Sequence, residues 1–415
     1  MSADSGDELP NIVLVTIDSL RADYCGYVSE ERDATPTLTE LATDGLAFER
    51  AIAPGPSTPE SMPAIFTGTY PVGADDGRLA TRRDRIRQHM SARETLPEAL
   101  SRRGYTTAAF TPNPFTSRHF GFAQGFDHFQ DFMDDRHRRG RLYERLFDGF
   151  LRGNSVLSLG RVLMNFWQHE EVFKSWERYY ESVVEWVTPT DEPYFLWVFL
   201  MDVHNPYMAN AAHRSQPRWK QFHANLQFWR ESHETSFDPV VHDRLVTAYE
   251  DAVQYADAFL ERLQSDLGDD PIIAVHGDHG EAIGEHGSYG HEPYLYDENV
   301  HVPLVVGNVD SGRVTAPYSL RHLPRLLTGI ATESNVPEEW YAVAKSDRTR
   351  HRAVRTESCT CLHNGRETLL DTDGEESRSE AALEASAALR DISDAVAEAT
   401  HERQQLRDAA AEVTR

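Results

Sequence analysis

The sequence predicts an α/β fold: a mostly parallel central sheet flanked by helices, with a small β-hairpin and helix region at the C-terminal end. Three observations predict it. Apolar runs recur that are continuous rather than alternating, the pattern of strands buried on both faces. Helical stretches with start and stop signals separate them. The 415 residues, 40% hydrophobic and 10% aromatic, supply enough apolar surface for a large buried core.

Asn11–Ile17 (NIVLVTI) reads as the first buried strand. Thr95, followed by Pro97 and Glu98, opens a helix with a capping-box pattern, and Gly104 marks its stop. Thr106–Thr111 is the next strand. Pro193–Met201 (PYFLWVFLM), Pro271–His276 (PIIAVH) and His301–Val306 follow it. A helical insertion at about 130–191 separates the second strand from the third. It contains VLSLGRVLMNFW and reads as a cap packed on the domain, with a membrane-surface helix as the competing reading. A second helical insertion, at about 209–267, is rich in Trp, Phe and His.

These limits give a main α/β domain over 1–310, a small α+β subdomain over 311–374 and a helix over 375–415. Within the subdomain, Asn364-Gly365 joins two β-like runs as a two-residue hairpin would. In the tail, Leu389, Ile392, Val396, Ala399, Leu406, Ala410 and Val413 keep a three-four apolar spacing broken by Arg403. Such a helix docks on its own domain or pairs with a second copy as a homo-oligomer.

The formal net charge is -26, and of 41 basic residues only Lys174, Lys220 and Lys345 are lysines. Abundant carboxylates with almost no lysine suit a halophilic, salt-loaded cytoplasm, where salt screens self-repulsion. The acidity then reports the solvent, and with no basic stripe it argues against nucleic acid as a partner. No apolar run reaches the roughly 18 residues of a transmembrane segment. The first residues carry no basic-then-apolar leader, so the expected location is cytoplasmic. Cys25, Cys359 and Cys361 are too few for a disulfide framework and read as ordinary thiols.

Three strand ends deliver acids or imidazoles: Asp18 after the first, Asp202 and His204 after PYFLWVFLM, Asp278 and His279 after PIIAVHG. Ligands of open α/β sheets bind outside the carboxyl ends of the strands. Hard oxygens joined by imidazole nitrogen there suit Ca²⁺, Mn²⁺ or Zn²⁺. Any single strand-end Asp also reads as a helix cap or turn residue; three such ends in one chain favour a metal site. Thr58, before Pro59, either caps a helix or places a hydroxyl where cation and helix dipole both stabilise its alkoxide. Arg21 and Asp23 read as a structural pair, and His286 as a residue beside the metal ligands.

The segments NIVLVTIDSLRADYCGY, APGPSTPESMPAIFTGTYP, MDVHNPY and HGDHGEAIGEHGSYGHEPYLYDENVHVPLVV, in this order, resemble sulfatases of the alkaline phosphatase superfamily, here of haloarchaeal type. The likeness runs from about Asn11 to Gly307 and weakens through SLRHLPRLLTGI and AVRTESCTCLHNGRETLLD. It implies an alkaline-phosphatase-like sheet and a metal-dependent ester hydrolase. Asp18, Asp278 and His279 would be metal ligands, Thr58 would stand at the nucleophile position, and His204 would meet the ester or its leaving oxygen. His291 lies near the position of a substrate-binding lysine. Asp202, His204 and His291 would supply any second metal.

The departures from the family are informative. Sulfatases convert Cys or Ser to formylglycine inside a Cys/Ser-x-Pro-x-Arg motif; here the stretch is Thr58-Pro59-Glu60-Ser61-Met62, and a threonine cannot be so converted. Ser19 replaces the second Asp of the family's pair. The Gly-Lys-Trp-His segment is absent, with Asn113, Arg118 or His119 as substitutes. The expectation is a sulfate- or phosphate-ester hydrolase with a Thr nucleophile, acting on a small anionic ester or glycan. A threonine equally fits a phosphodiesterase or phosphotransferase with a phospho-threonine intermediate. The reading of another class is a non-catalytic protein that binds sulfated or phosphorylated glycans.

Overall fold

The structure is a computed structural model. It describes residues 9–132 apart from 30 and 72–76, and 174–371 apart from 191–192, 231–236, 269–270, 292, 332–339 and 364–366. Positions 376, 387, 390–391 and 395–396 are also described. Most of the insertion expected at 130–191, and most of the helix expected at 375–415, lie outside these residues, as does the Asn364-Gly365 turn.

The main sheet uses β1 (Ile12–Ile17), β2 (Leu46–Ile52), β3 (Thr106–Phe110), β4 (His128–Gln130), β5 (Tyr194–Leu200) and β6 (Ile272–Gly277). A small ribbon follows, β7 (Ala282–Ile283) with β8 (Tyr289–Gly290). The main sheet then takes β9 (His301–Gly307), β10 (Gly312–Val314) and β11 (Tyr318–Ser319). Its order is β10-β2-β9-β6-β1-β5-β3-β4, with β11 paired to β2. Among the described strands of this main sheet only β9 runs against its neighbours, so the sheet is the mostly parallel one that the sequence predicts. The buried runs become strands within a residue or two of their expected limits.

Alternation along each strand divides the core between the two faces. Val13, Val15 and Ile17 pack on one face with Leu38 of α1 (Pro36–Asp44) and with Leu245, Ala252 and Phe259 of the long Pro239–Leu267 helix. Ile12 and Leu14 pack on the other with Met62, Ile65 and Phe66 of α2, which is the Thr58–Thr67 helix. The Thr95 helix start is as expected: Thr95 and Glu98 form a reciprocal capping box.

A second sheet is antiparallel, in the order β12 (Tyr341–Lys345), β13 (Arg352–Thr356), β14 (Thr360–His363) and β15 (Glu367–Leu370). Its last hairpin pairs His363 with Glu367. All three cysteines are free thiols. No helix among the described residues is long and apolar enough to cross a membrane.

Candidate active site

The parallel register sets Ile17 of β1 opposite Gly277 of β6 and Leu200 of β5. The residues that follow therefore leave one edge of the sheet at one level. Asp18, Asp278 and His279 emerge there, all fully buried, with ligand atoms within 4.8 Å of one another.

Ser19 adopts a left-handed backbone (φ 60°) that turns the chain sharply after β1. Its N–H then reaches Asp278 Oδ1 at 3.3 Å and its hydroxyl donates to Asp18 Oδ1 at 3.0 Å. Tyr249 locks the turn by donating to the Ser19 carbonyl (2.7 Å) and accepting from the Arg21 N–H (3.1 Å). Arg21 bonds Asp23 and Glu285, each at 2.7 Å, in the structural pairing expected of it.

His279 Nδ1–H donates to the Gly280 carbonyl (2.9 Å), which leaves the Nε2 lone pair facing the two carboxylates. Nε2 stands 3.4 Å from Asp18 Oδ1 and 3.6 Å from Asp278 Oδ2. Among the described residues Asp278 Oδ2 is buried and accepts no hydrogen bond. Burial, then the charge of Asp278, drives Asp18 well above the usual carboxylate range, and burial pushes Asp278 up to about 6. Two buried carboxylates, one with an oxygen that accepts no hydrogen bond among the described residues, and an imidazole lone pair facing both fit a divalent cation: its charge removes the cost that otherwise protonates them.

Thr58 is the first residue of α2; Ser57, not Thr58, is the cap residue. The Thr58 hydroxyl lies 3.3 Å from His279 Nε2. Asn113 accepts the Phe115 N–H through Oδ1, so its amide N–H groups face the site, donating to Asp18 Oδ2 (2.8 Å) and Thr58 Oγ1 (3.4 Å). Ser61 fixes α2 to the ligand strand by donating to the Asp278 carbonyl (2.6 Å).

Two further imidazoles border the cluster. The His291 ring is 4.8 Å from the His279 ring and 5.4 Å from that of His204. His204 Nδ1–H donates to the Asn205 carbonyl (2.6 Å), and burial holds this histidine down at about 4. Glu281 binds His291 Nδ1 at 3.0 Å. Burial alone would raise Glu281, yet His291, His204 and His279 outweigh it and hold the carboxyl at about 2. Sequence reasoning passed over Glu281, although it directly follows the ligand pair in HGDHGE.

Other expected residues engage elsewhere. Asp202 Oδ1 accepts from the Trp176 backbone N–H (3.3 Å), so this strand-end Asp serves a neighbouring turn. Arg118 is paired through its backbone N–H and Nε with Asp131 (3.0 and 2.9 Å). His286 stacks on Tyr296 and lies 3.7 Å from Glu298.

The sulfatase family model matches residues 10–313, a stretch containing every side chain of this cluster. The chain belongs to the sulfatase family. Over 73 residues this sulfatase-family chain is 40% identical to an arylsulfatase of Clostridium perfringens, covering 16% of the chain and 15% of that protein. Over 343 residues it is 23% identical to human iduronate 2-sulfatase, covering 73% of the chain and 60% of that protein. It thus spans less than two thirds of both. Its fold is similar to that of a 2-O GAG sulfatase (TM-score 0.63, 14% identity, 96% of this chain and 94% of that one). It is also similar to that of the phosphonate monoester hydrolase of Agrobacterium radiobacter (TM-score 0.58, 16% identity, 97% and 96%). Both likenesses are of fold: a mostly parallel sheet flanked by helices.

Proposed function

We propose that the chain is a metal-dependent hydrolase of anionic sulfate or phosphate esters in which Thr58 is the nucleophile. The observation that carries this reading is the Thr58 hydroxyl at the start of α2, 3.3 Å from His279 Nε2 and beside Asp18 and Asp278. Asp18, Asp278 and His279 would hold the cation. When bound, it lowers the pKa of the Thr58 hydroxyl and neutralises the ester oxygens.

Asn113 donates to Thr58 Oγ1 and so supports this oxygen as an alkoxide whose proton has gone to solvent. The alkoxide attacks sulfur or phosphorus, and the bond to the leaving oxygen breaks. His204, protonated, gives that oxygen its proton. Burial favours neutral His204, so its acid form depends on the negative charge of the bound ester. Neutral again, His204 takes a proton from water, and the hydroxide releases the group from Thr58. His291, oriented by Glu281, faces the same pocket as a donor to ester oxygens.

A second reading follows from Thr58 itself. A threonine nucleophile without formylglycine suits phosphorus, with a phospho-threonine resolved by water or by another alcohol. Matched aryl sulfate, aryl phosphate monoester and aryl phosphodiester, assayed in molar KCl with Ca²⁺, Mn²⁺ or Zn²⁺, separate the readings. Turnover that disappears in Thr58→Ala supports the nucleophile, and the preferred ester decides between sulfur and phosphorus. Full turnover in Thr58→Ala contradicts the assignment. Silence on all three esters, with tight binding of sulfated or phosphorylated glycans, supports a binding protein instead.

A further inference from the structure

We propose that Glu60 is a positioning residue for Thr58, through which the antiparallel β12–β15 sheet acts on the reaction. The proposal rests on the assignment of Thr58 as nucleophile.

Ser57-Thr58-Pro59-Glu60 has the order of a capping box, a hydroxyl at the cap and a glutamate three residues on. Thr95 and Glu98 complete such a box elsewhere in the chain, with the Thr95 N–H donating to Glu98 Oε2 at 2.9 Å. At α2 the box is not made. Ser57 caps nothing with its side chain, and among the described residues its buried hydroxyl has no hydrogen-bond partner. Glu60, also buried, turns away from its own helix. Its Oε1 accepts from the Ser346 hydroxyl (3.1 Å) and from the backbone N–H groups of Asp347 (2.9 Å) and Arg348 (3.3 Å).

Two neighbouring contacts fasten the same stretch to the same turn. The Lys345 N–H donates to the Pro54 carbonyl at 2.9 Å. Gly55 lies so close that a Cβ there would stand 2.8 Å from Glu60 Cβ and 3.1 Å from the Lys345 carbonyl oxygen. The turn after β12 thus grips the chain on both sides of Thr58.

This grip has two effects. In a completed box the Glu60 carboxylate would sit on the Ser57 N–H, beside the positive end of α2, and oppose an incoming anion; drawn aside, it leaves that end of the helix to the substrate. It also fixes the height of Thr58 above the ligand strand. The same sheet holds the segment that follows His291: His351 Nδ1–H donates to the Pro293 carbonyl (2.9 Å), and Arg355 donates to the Leu295 carbonyl (2.7 Å). The nucleophile and His291 therefore share one support outside the main sheet.

Glu60→Ala, Glu60→Gln and Ser346→Ala, loaded with cation, test this on an aryl ester that the unmodified protein cleaves, with the Kd for inorganic phosphate as a second readout. Displacing a reacting group by about 1 Å costs on the order of 10²-fold. Glu60→Ala is therefore expected to lower kcat by roughly 10–100-fold and, because the start of the helix shifts together with Thr58, to weaken inorganic phosphate binding severalfold. Glu60→Gln, whose amide oxygen accepts from the same three donors, keeps most of the rate, and Ser346→Ala loses severalfold. A Glu60→Ala kcat within twofold of the original overturns the proposal, as does a Gln variant damaged as much as the Ala variant. If Glu60→Ala does not fold, an unchanged kcat in Ser346→Ala overturns it. Should no ester turn over, or Thr58→Ala remain active, the nucleophile assignment fails by itself; phosphate affinity then decides, and a Glu60→Ala Kd equal to the original overturns the role of Glu60.

Discussion

Two buried histidines at the end of β6 stand three residues apart in opposite situations. His276 is saturated: its Nδ1–H donates to the Gly277 carbonyl (2.9 Å), and Nε2 accepts the Thr16 hydroxyl (2.9 Å), which in turn accepts Trp197 Nε1–H (3.0 Å). Every polar atom of that chain has a use, and burial keeps the imidazole neutral, at about 4. His279 instead shares its surroundings with Asp18 and Asp278, where acceptors outnumber donors and a carboxylate oxygen accepts nothing among the described residues. A saturated buried polar group specifies the fold; a buried excess of acceptors is costly unless a cation completes it.

The largest expected contrast comes from substituting each set in turn. Asp278→Asn should abolish cation binding and turnover, yet stabilise the cation-free protein at pH 8 by roughly 1–3 kcal/mol, because an ionised buried carboxylate is removed. His276→Ala should do the reverse: a loss of roughly 2–4 kcal/mol from the cavity and the stranded Thr16 hydroxyl, with cation affinity retained. Thermal melts and titrations on both variants check the pair, and a stability loss in Asp278→Asn would erase the distinction.

A smaller effect sharpens it. Because burial raises Asp278 in the folded state to about 6, above its ordinary 3.8, the proton on it stabilises the cation-free fold at low pH. That contribution is present below pH 4 and is lost as pH rises through about 6. A cation replaces the proton, so the Tm increase on adding Mn²⁺ should be small at pH 5 and large at pH 7.5. Equal increments at both pH values would contradict the account.

The smallest effect is a control away from both sets. Thr95→Ala breaks the capping box made with Glu98 and should cost about 1 kcal/mol without moving cation affinity.

The sequence discloses these elements unevenly, for physical reasons. β1, β5 and β6 are buried on both faces and so appear as unbroken apolar runs. β2 (LAFERAI) carries Glu49 and Arg50 between its apolar residues, where its register with β9 shifts, and it escapes notice. β10 and β11 span three and two residues, too short for any pattern. At the site, Asp18, Asp278 and His279 are legible because parallel strands bring their ends to one level. Asp202 stands at such an end too, but the next turn directs it to Trp176. Glu60 illustrates the opposite limit: its capping-box spacing is local, whereas its partners Ser346–Arg348 are nearly 300 residues away.

Asp18, Asp278 and His279 are proposed to form a cation receptor, and direct binding tests that proposal most simply. Protein stripped with a chelator would be titrated calorimetrically with Ca²⁺, Mn²⁺ and Zn²⁺ at pH 7.5 in molar KCl, alongside Asp278→Asn and His276→Ala. The unmodified protein and His276→Ala should each bind one equivalent of cation, and Asp278→Asn none. Binding that survives Asp278→Asn, or no binding by the unmodified protein, would contradict it.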